Sequence, residues 1–171
     1  MNNKNKLNYP LNFQEMQYLN PDADIYTYDE FTNLKKISNL FLNTHKVIIL
    51  YLLQSKYMGH YTTLFINDSG IQYFDSFGKP IDFWLDLLTT QQRIEYNEKS
   101  DILELLLKPY NVNYNEYLLQ SKNTDTCGMF VTHRLHNYLL TENQYLKKYF
   151  MGKTSPDLIV ANYVLKYLKK K

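Results

Sequence analysis

The sequence predicts an α+β fold, and three observations predict it. Val47 to Leu53 is an apolar run of strand length, rich in Val, Ile and Tyr, which reads as a strand buried on both faces. Tyr61 to Ile66 and Ile71 to Phe77 are strand-like runs joined by Asn67, Asp68, Ser69 and Gly70, a cluster of turn formers that favours a tight antiparallel hairpin. Elsewhere apolar residues recur at helical spacing. At 171 residues the chain fits one domain, since a domain takes roughly 100 to 200 residues.

Taken in order, residues 1 to 26 carry scattered aromatics without a period, and Pro10 and Pro21 interrupt any long helix, so an irregular N-terminal arm is expected. Thr27 and Glu30 match a capping box, and Phe31, Leu34, Ile37, Leu40 and Phe41 then predict an amphipathic helix over 28 to 42. After the hairpin, Pro80 can open a helix whose apolar side is Phe83, Trp84, Leu87 and Leu88, expected over 81 to about 93. Residues 101 to 107 fit either state. Val112 to Leu119 alternates in part and reads as a strand, and Ser121 to Thr126 as a polar loop. From Cys127 a largely buried helix is expected, ending near Thr141, and two more helices close the chain. The last opens with Ser155 as N-cap and Pro156 as its first residue, and it places Lys166, Lys169, Lys170 and Lys171 where cations suit the helix dipole.

Composition narrows the function classes. A 44% apolar content supports a packed core, and five Gly with five Pro leave no low-complexity linker. The longest apolar run is far short of the roughly 20 residues that span a bilayer, so no membrane partner is expected. Met1 to Pro10 lacks an apolar signal region, which predicts an intracellular, unsecreted protein. A net charge of +2 does not define a nucleic-acid binder. The single cysteine can build neither an internal disulfide nor a Cys-rich zinc site.

Cys127 falls at the junction of a polar loop and a buried helix, where unpaired backbone N–H groups favour a thiolate. A free thiol titrates near ~8.5, and a helix N-terminus with a neighbouring imidazolium lowers that value and makes it a nucleophile. In other settings a lone cysteine is a small buried hydrophobe. Four histidines could supply the imidazole. His133 and His136 lie on the Cys127 helix but are turned away from it; they form at most a weak His-x-x-His pair and suit structural roles better. His45 lies in a loop before the central strand. His60 starts the hairpin whose second strand carries Asp75.

The hairpin makes that relationship computable. With Asp68 and Ser69 as a two-residue loop, Asn67 opposes Gly70, Thr62 opposes Asp75, and His60 points to the same face as Asp75 as its diagonal neighbour. Diagonal Cα atoms stand roughly 7 to 8 Å apart, within reach of an imidazole and a carboxylate. Gln120, seven residues before Cys127, offers a side-chain amide for a developing oxyanion. Gly59, Gly78 and Gly128 adjoin His60, the Asp75 segment and Cys127, where they would let backbone approach a bound chain.

The order Gly59-His60-Tyr61, then Tyr73-Phe74-Asp75-Ser76-Phe77-Gly78, then Gln120 and Cys127-Gly128-Met129-Phe130 resembles the adenain-type cysteine endopeptidases and their relatives that process ubiquitin-like modifiers. The resemblance covers residues 47 to 139. It implies a papain-like α+β fold, with a mixed, mainly antiparallel central sheet and the nucleophile at the N-terminus of a buried helix. It also implies recognition of Gly-containing sequences beside the cut and no cofactor or metal. Carried over by position, Cys127 is nucleophile, His60 general base and acid, Asp75 its orienting partner and Gln120 oxyanion donor, with Gly59, Tyr61 and Gly128 lining the substrate channel.

Two departures stand out. The family usually has Trp after its histidine where this chain has Tyr61, and without a second cysteine no activating peptide can be tethered by a disulfide. DNA or an untethered peptide remains open as an activator. Lys, Asn, Ile and Tyr are abundant while Arg occurs only at Arg93 and Arg134, a usage that suggests AT-rich coding DNA; with the small size it resembles maturation proteases of small DNA viruses such as virophages, which implies capsid or core precursors as substrates and location in the virion and the cytoplasmic virus factory. Two further readings stand beside this one. The first is a deconjugating isopeptidase for a ubiquitin-like modifier. The second is a noncatalytic module that uses its 17 Tyr and terminal lysines to bind nucleic acid or virion proteins.

Overall fold

A computed structural model describes residues 2–55, 58–98 and 101–169. The helices are α1 (Asn3–Leu7), α2 (Phe13–Leu19), α3 (Thr90–Glu95), α4 (Ile102–Leu107), α5 (Cys127–Leu135), α6 (Glu142–Tyr149) and α7 (Pro156–Leu168). The strands are β1 (Asp24–Thr27), β2 (Lys46–Ser55), β3 (Met58–Asn67), β4 (Gly70–Phe74) and β5 (Val112–Tyr114), in the spatial order β1-β2-β3-β4-β5. The two inner pairings are antiparallel and the two outer ones parallel. The fold is therefore α+β around a mixed sheet, with α5 packed on β3. Among the described residues no helix is long and apolar enough to cross a membrane.

The hairpin follows the expected register. Asn67 pairs with Gly70 and Thr63 with Phe74, the Asn67 side chain accepts the Ser69 N–H at 2.9 Å, and Gly70 takes the positive φ of 94° that the turn requires. Val47 to Leu52 of β2 are buried on both faces. Gly59 sits where β3 crosses β2: a Cβ there would stand 1.8 Å from the Tyr51 carbonyl oxygen.

Several expected elements differ. The arm over 1 to 26 is ordered as α1, α2 and β1, with Pro10 and Pro21 between elements rather than inside them. The helix expected over 28 to 42 is two 3₁₀ segments, Tyr28–Asn33 and Ile37–Phe41, separated by extended Leu34 and Lys36. Within each segment the buried pair, Tyr28 with Phe31 and Ile37 with Leu40, stands three residues apart, the period of a 3₁₀ helix rather than of an α-helix. The helix expected over 81 to 93 is likewise divided. A 3₁₀ turn spans Phe83–Leu87 behind left-handed Asp82, and Thr89 with Gln92 forms a new capping box that opens α3. Residues 102 to 107 are helical.

The second hairpin strand ends at Phe74 instead of Phe77, and β5 stops at Tyr114 instead of Leu119, for one reason. The Asn115 amide accepts the Asp75 N–H at 2.8 Å and donates to the Asp75 carbonyl at 2.6 Å, replacing further ladder bonds. Helix α5 ends at Leu135, short of Thr141, because the buried Arg134 guanidinium bonds the Asn137 and Leu140 carbonyls and the chain tightens into i to i+3 turns. Ser155 caps α7 with Pro156 as its first residue; Lys170 and Lys171 lie outside the described residues.

Because nothing can move aside from a strand carbonyl at 1.8 Å, Gly59→Ala is expected to destabilise the fold by at least ~1–3 kcal/mol, the usual cost of overpacking, as read by the urea midpoint.

Candidate active site

The site is assembled by three elements: β3 brings His60 and Tyr61, the turn leaving β4 brings Asp75 and Ser76, and the start of α5 brings Cys127. The register of the hairpin sets the first two on one face, and the packing of α5 on β3 delivers the third.

His60 Nε2 lies 3.1 Å from Asp75 Oδ2, and both residues are buried. The same oxygen accepts the Trp84 indole N–H at 2.5 Å, while Oδ1 accepts the Phe77 backbone N–H at 2.6 Å. Nε2 faces the carboxylate, and Cys127 lies near enough to the ring for each group to shift the titration of the other. The Tyr61 and Gly128 backbone N–H groups favour the charged form of that sulfur. Cys127 itself keeps partial solvent access.

The electrostatics follow from these contacts. Burial alone would drive His60 toward its neutral form, but the Asp75 charge and hydrogen bond, with the Cys127 sulfur, outweigh it and raise the imidazole to about 9. For Cys127, burial opposes ionisation; the hydrogen bond and charge of His60 and the two N–H groups overcome it, so the thiol titrates below its ordinary value. Both shifts run in the direction that favours a thiolate beside an imidazolium.

Gln120 is buried in the loop before α5. Its Oε1 accepts the Ser76 hydroxyl at 2.6 Å and its Nε2 donates to the Thr124 carbonyl at 2.8 Å. Since a carbonyl can only accept, the amide has one orientation, and its second N–H is free for another acceptor. The loop is pinned by buried Asp157 of α7, which accepts from the Ser121 N–H and from the Thr124 and Thr126 hydroxyls.

Gly59 and Gly128 have reasons inside the fold. Gly59 clears the Tyr51 carbonyl, and a Cβ at Gly128 would meet Met16, Leu11 and Tyr61 at 3.0 to 3.4 Å, so the N-terminal arm packs against the head of α5. Contact with a bound chain is not needed to account for either. Tyr61 is buried beside Gly128, and burial raises its phenol to about 12. His133 bonds the Tyr145 hydroxyl at 2.8 Å and His136 the Leu19 carbonyl at 2.8 Å, both away from Cys127.

Sequence reasoning missed two residues of the site. Trp84 was visible only as part of an apolar helix face, although it is the single tryptophan. Asn115 was a signal in itself, a polar side chain in the middle of an expected strand.

No family model matches the chain. Over 129 residues it is 30% identical to the uncharacterized protein V9 of Sputnik virophage, covering 72% of this chain and 73% of that protein. The chain belongs to the family of that virophage protein. Among solved structures it is similar to the central domain of Lpg1148 from Legionella pneumophila, at 12% identity and a TM-score of 0.48 over 94% of this chain and 98% of that one. It is also similar to ChlaDub1 of Chlamydia trachomatis, at 11% identity and a TM-score of 0.46 over 95% and 92% of the two chains. A third similarity is to the Chlamydia trachomatis effector Cdu1 bound to ubiquitin, at 15% identity and a TM-score of 0.41 over 75% and 63%.

Alkylation of Cys127 by iodoacetamide is expected to persist well below pH 8.5, with His60→Ala returning it to the alkaline limb of an ordinary thiol. The imidazolium is lost as pH rises through about 9, so above that pH the two proteins should converge. The rate–pH profiles of the two proteins check both statements.

Proposed function

We propose that the protein is a cysteine peptidase acting through a thioester acyl-enzyme. One observation carries the reading: a cysteine at the head of a helix packed on β3 lies beside an imidazole whose Nε2 is held by a buried carboxylate, and each of the two shifts the other's titration. A thiol serving only as core packing needs none of these partners.

In this reading the Cys127 thiolate attacks the scissile carbonyl carbon, and the carbonyl electrons move onto oxygen. The free N–H of Gln120 and backbone N–H groups at the start of α5 are the donors suited to that oxyanion. As the tetrahedral species collapses, the C–N bond breaks, the His60 imidazolium gives its proton to the departing amine, and a thioester remains. Neutral His60 then takes a proton from water, the resulting oxygen nucleophile attacks the thioester, and the acid product leaves with regeneration of the thiolate–imidazolium pair. Asp75 orients the ring.

For substrates, we propose capsid or core precursors, cut beside Gly-containing motifs in the virion or virus factory; the relative in a virophage is consistent with a viral setting and names no substrate. The same residues would act equally on an isopeptide bond to a ubiquitin-like modifier, so incubation with virophage structural precursors and with modifier fusions, followed by mass spectrometry of the products, separates the two. Cleavage of the fusions alone would replace the first substrate class by the second. No cleavage, together with a sluggish thiol and binding to nucleic acid that falls steeply with salt, would support a noncatalytic module instead.

Cys127→Ala is expected to abolish cleavage, and Gln120→Ala to lower turnover by roughly 10² to 10³, as loss of one oxyanion donor does. Asp75 faces three donors, so Asp75→Asn must set an NH₂ against at least one of them. Its turnover should fall, though by less than in His60→Ala, because the Trp84 and Phe77 rings still flank the imidazole. Steady-state assays of the four variants check this order.

A further inference from the structure

The Asp75 carboxylate has a second donor on the oxygen it offers to His60. The Trp84 indole N–H lies 2.5 Å from Oδ2, against 3.1 Å for His60 Nε2. The indole ring also lies over the imidazole, with centroids 4.1 Å apart at 36°, and its edge meets Phe77 at 5.6 Å, whose own N–H holds Oδ1. Trp84 is carried by the 3₁₀ turn Phe83–Leu87, an element separate from the hairpin and from α5. That turn is fastened from below: Asp82, in left-handed backbone, accepts from the Tyr51 hydroxyl at 3.1 Å and from the Glu104 N–H at 2.9 Å.

We infer that Trp84 is a positioning residue of the Cys127–His60–Asp75 array: its N–H shares Asp75 Oδ2 with His60 and its ring caps the imidazole, fixing the ring plane that the thiolate meets. The inference rests on the peptidase reading of that array. A second donor on one oxygen draws charge away from the bond to His60, so Trp84 tempers how strongly Asp75 holds the imidazolium. Its ring face screens the cation from water and attracts it. The titratable groups facing His60 are Asp75 from the end of β4 and Cys127 from α5; Trp84 is the uncharged group that acts on the first of them.

The sign of the effect is predictable. Removing the N–H while keeping a ring, as in Trp84→Phe, strengthens the Asp75–His60 bond and moves the His60 titration upward by about half a pH unit. Strengthening the N–H moves it the other way. Because Trp84 is the only tryptophan, growth on 5-fluorotryptophan replaces this one indole with a more acidic donor and leaves the fold intact, so the test does not depend on the Phe variant folding.

The experiment follows the His60 ring carbons by NMR and the rate–pH profile of Cys127 alkylation, in the unmodified protein, the fluorinated protein, Trp84→Phe and His60→Ala. The expected result is a downward shift in the fluorinated protein and an upward one in Trp84→Phe, with the alkaline limb of alkylation moving alongside. A His60 titration unmoved in both Trp84 forms overturns the assignment of Trp84 and leaves the array standing. An unmodified thiol whose alkylation ignores His60→Ala overturns the array, and the role of Trp84 with it.

Discussion

A carboxylate sealed from solvent is the constraint on which the site is built. Asp75 is wholly buried, and a charge in that position persists only if its oxygens are supplied with donors. His60, Trp84 and Phe77 supply them, while Asn115 takes both polar groups of the Asp75 peptide unit. The ring plane of the imidazole, the premature end of β4, the shortness of β5 and the docking of the Phe83–Leu87 turn are all conditions of keeping that one charge satisfied.

The next residue extends the constraint to the other half of the site. Ser76 gives its hydroxyl to Gln120, and its carbonyl accepts the backbone N–H groups of Leu119 and Gln120. One dipeptide thus orients the imidazole through Asp75 and the amide through Ser76. Displacing the turn after β4 would disturb both together, and this coupling is why the two groups need no direct contact to hold a fixed relation.

Much of this arrangement is legible in the chain before any coordinates. The hairpin signal at Asn67–Gly70 is local, and because side chains alternate along a strand, its loop length alone places His60 on the face of Asp75. The Ser155 cap and Pro156 that open α7 are equally local. What the chain hides depends on distant partners. Asn115 reads as an interruption until its mate 40 residues away is known, and Trp84 reads as core because its polar edge shows only against Asp75. The spacings of three at Tyr28–Phe31 and Ile37–Leu40 were present in the sequence but are close enough to helical spacing to be taken for an α-helix. The start of α5 was placed correctly and its end was not, since Arg134 terminates the helix through carbonyls further along the chain.

Asp157 gives the site an order of assembly. The loop that presents Cys127 is tied through Thr126 to a carboxylate 31 residues further along, so on the ribosome that tie forms only once α7 has emerged. The hairpin, by contrast, can form early from neighbouring residues. A nascent chain would carry the imidazole and its carboxylate well before the sulfur is brought to them, and the reactive pair would be completed only as one of the last steps of folding.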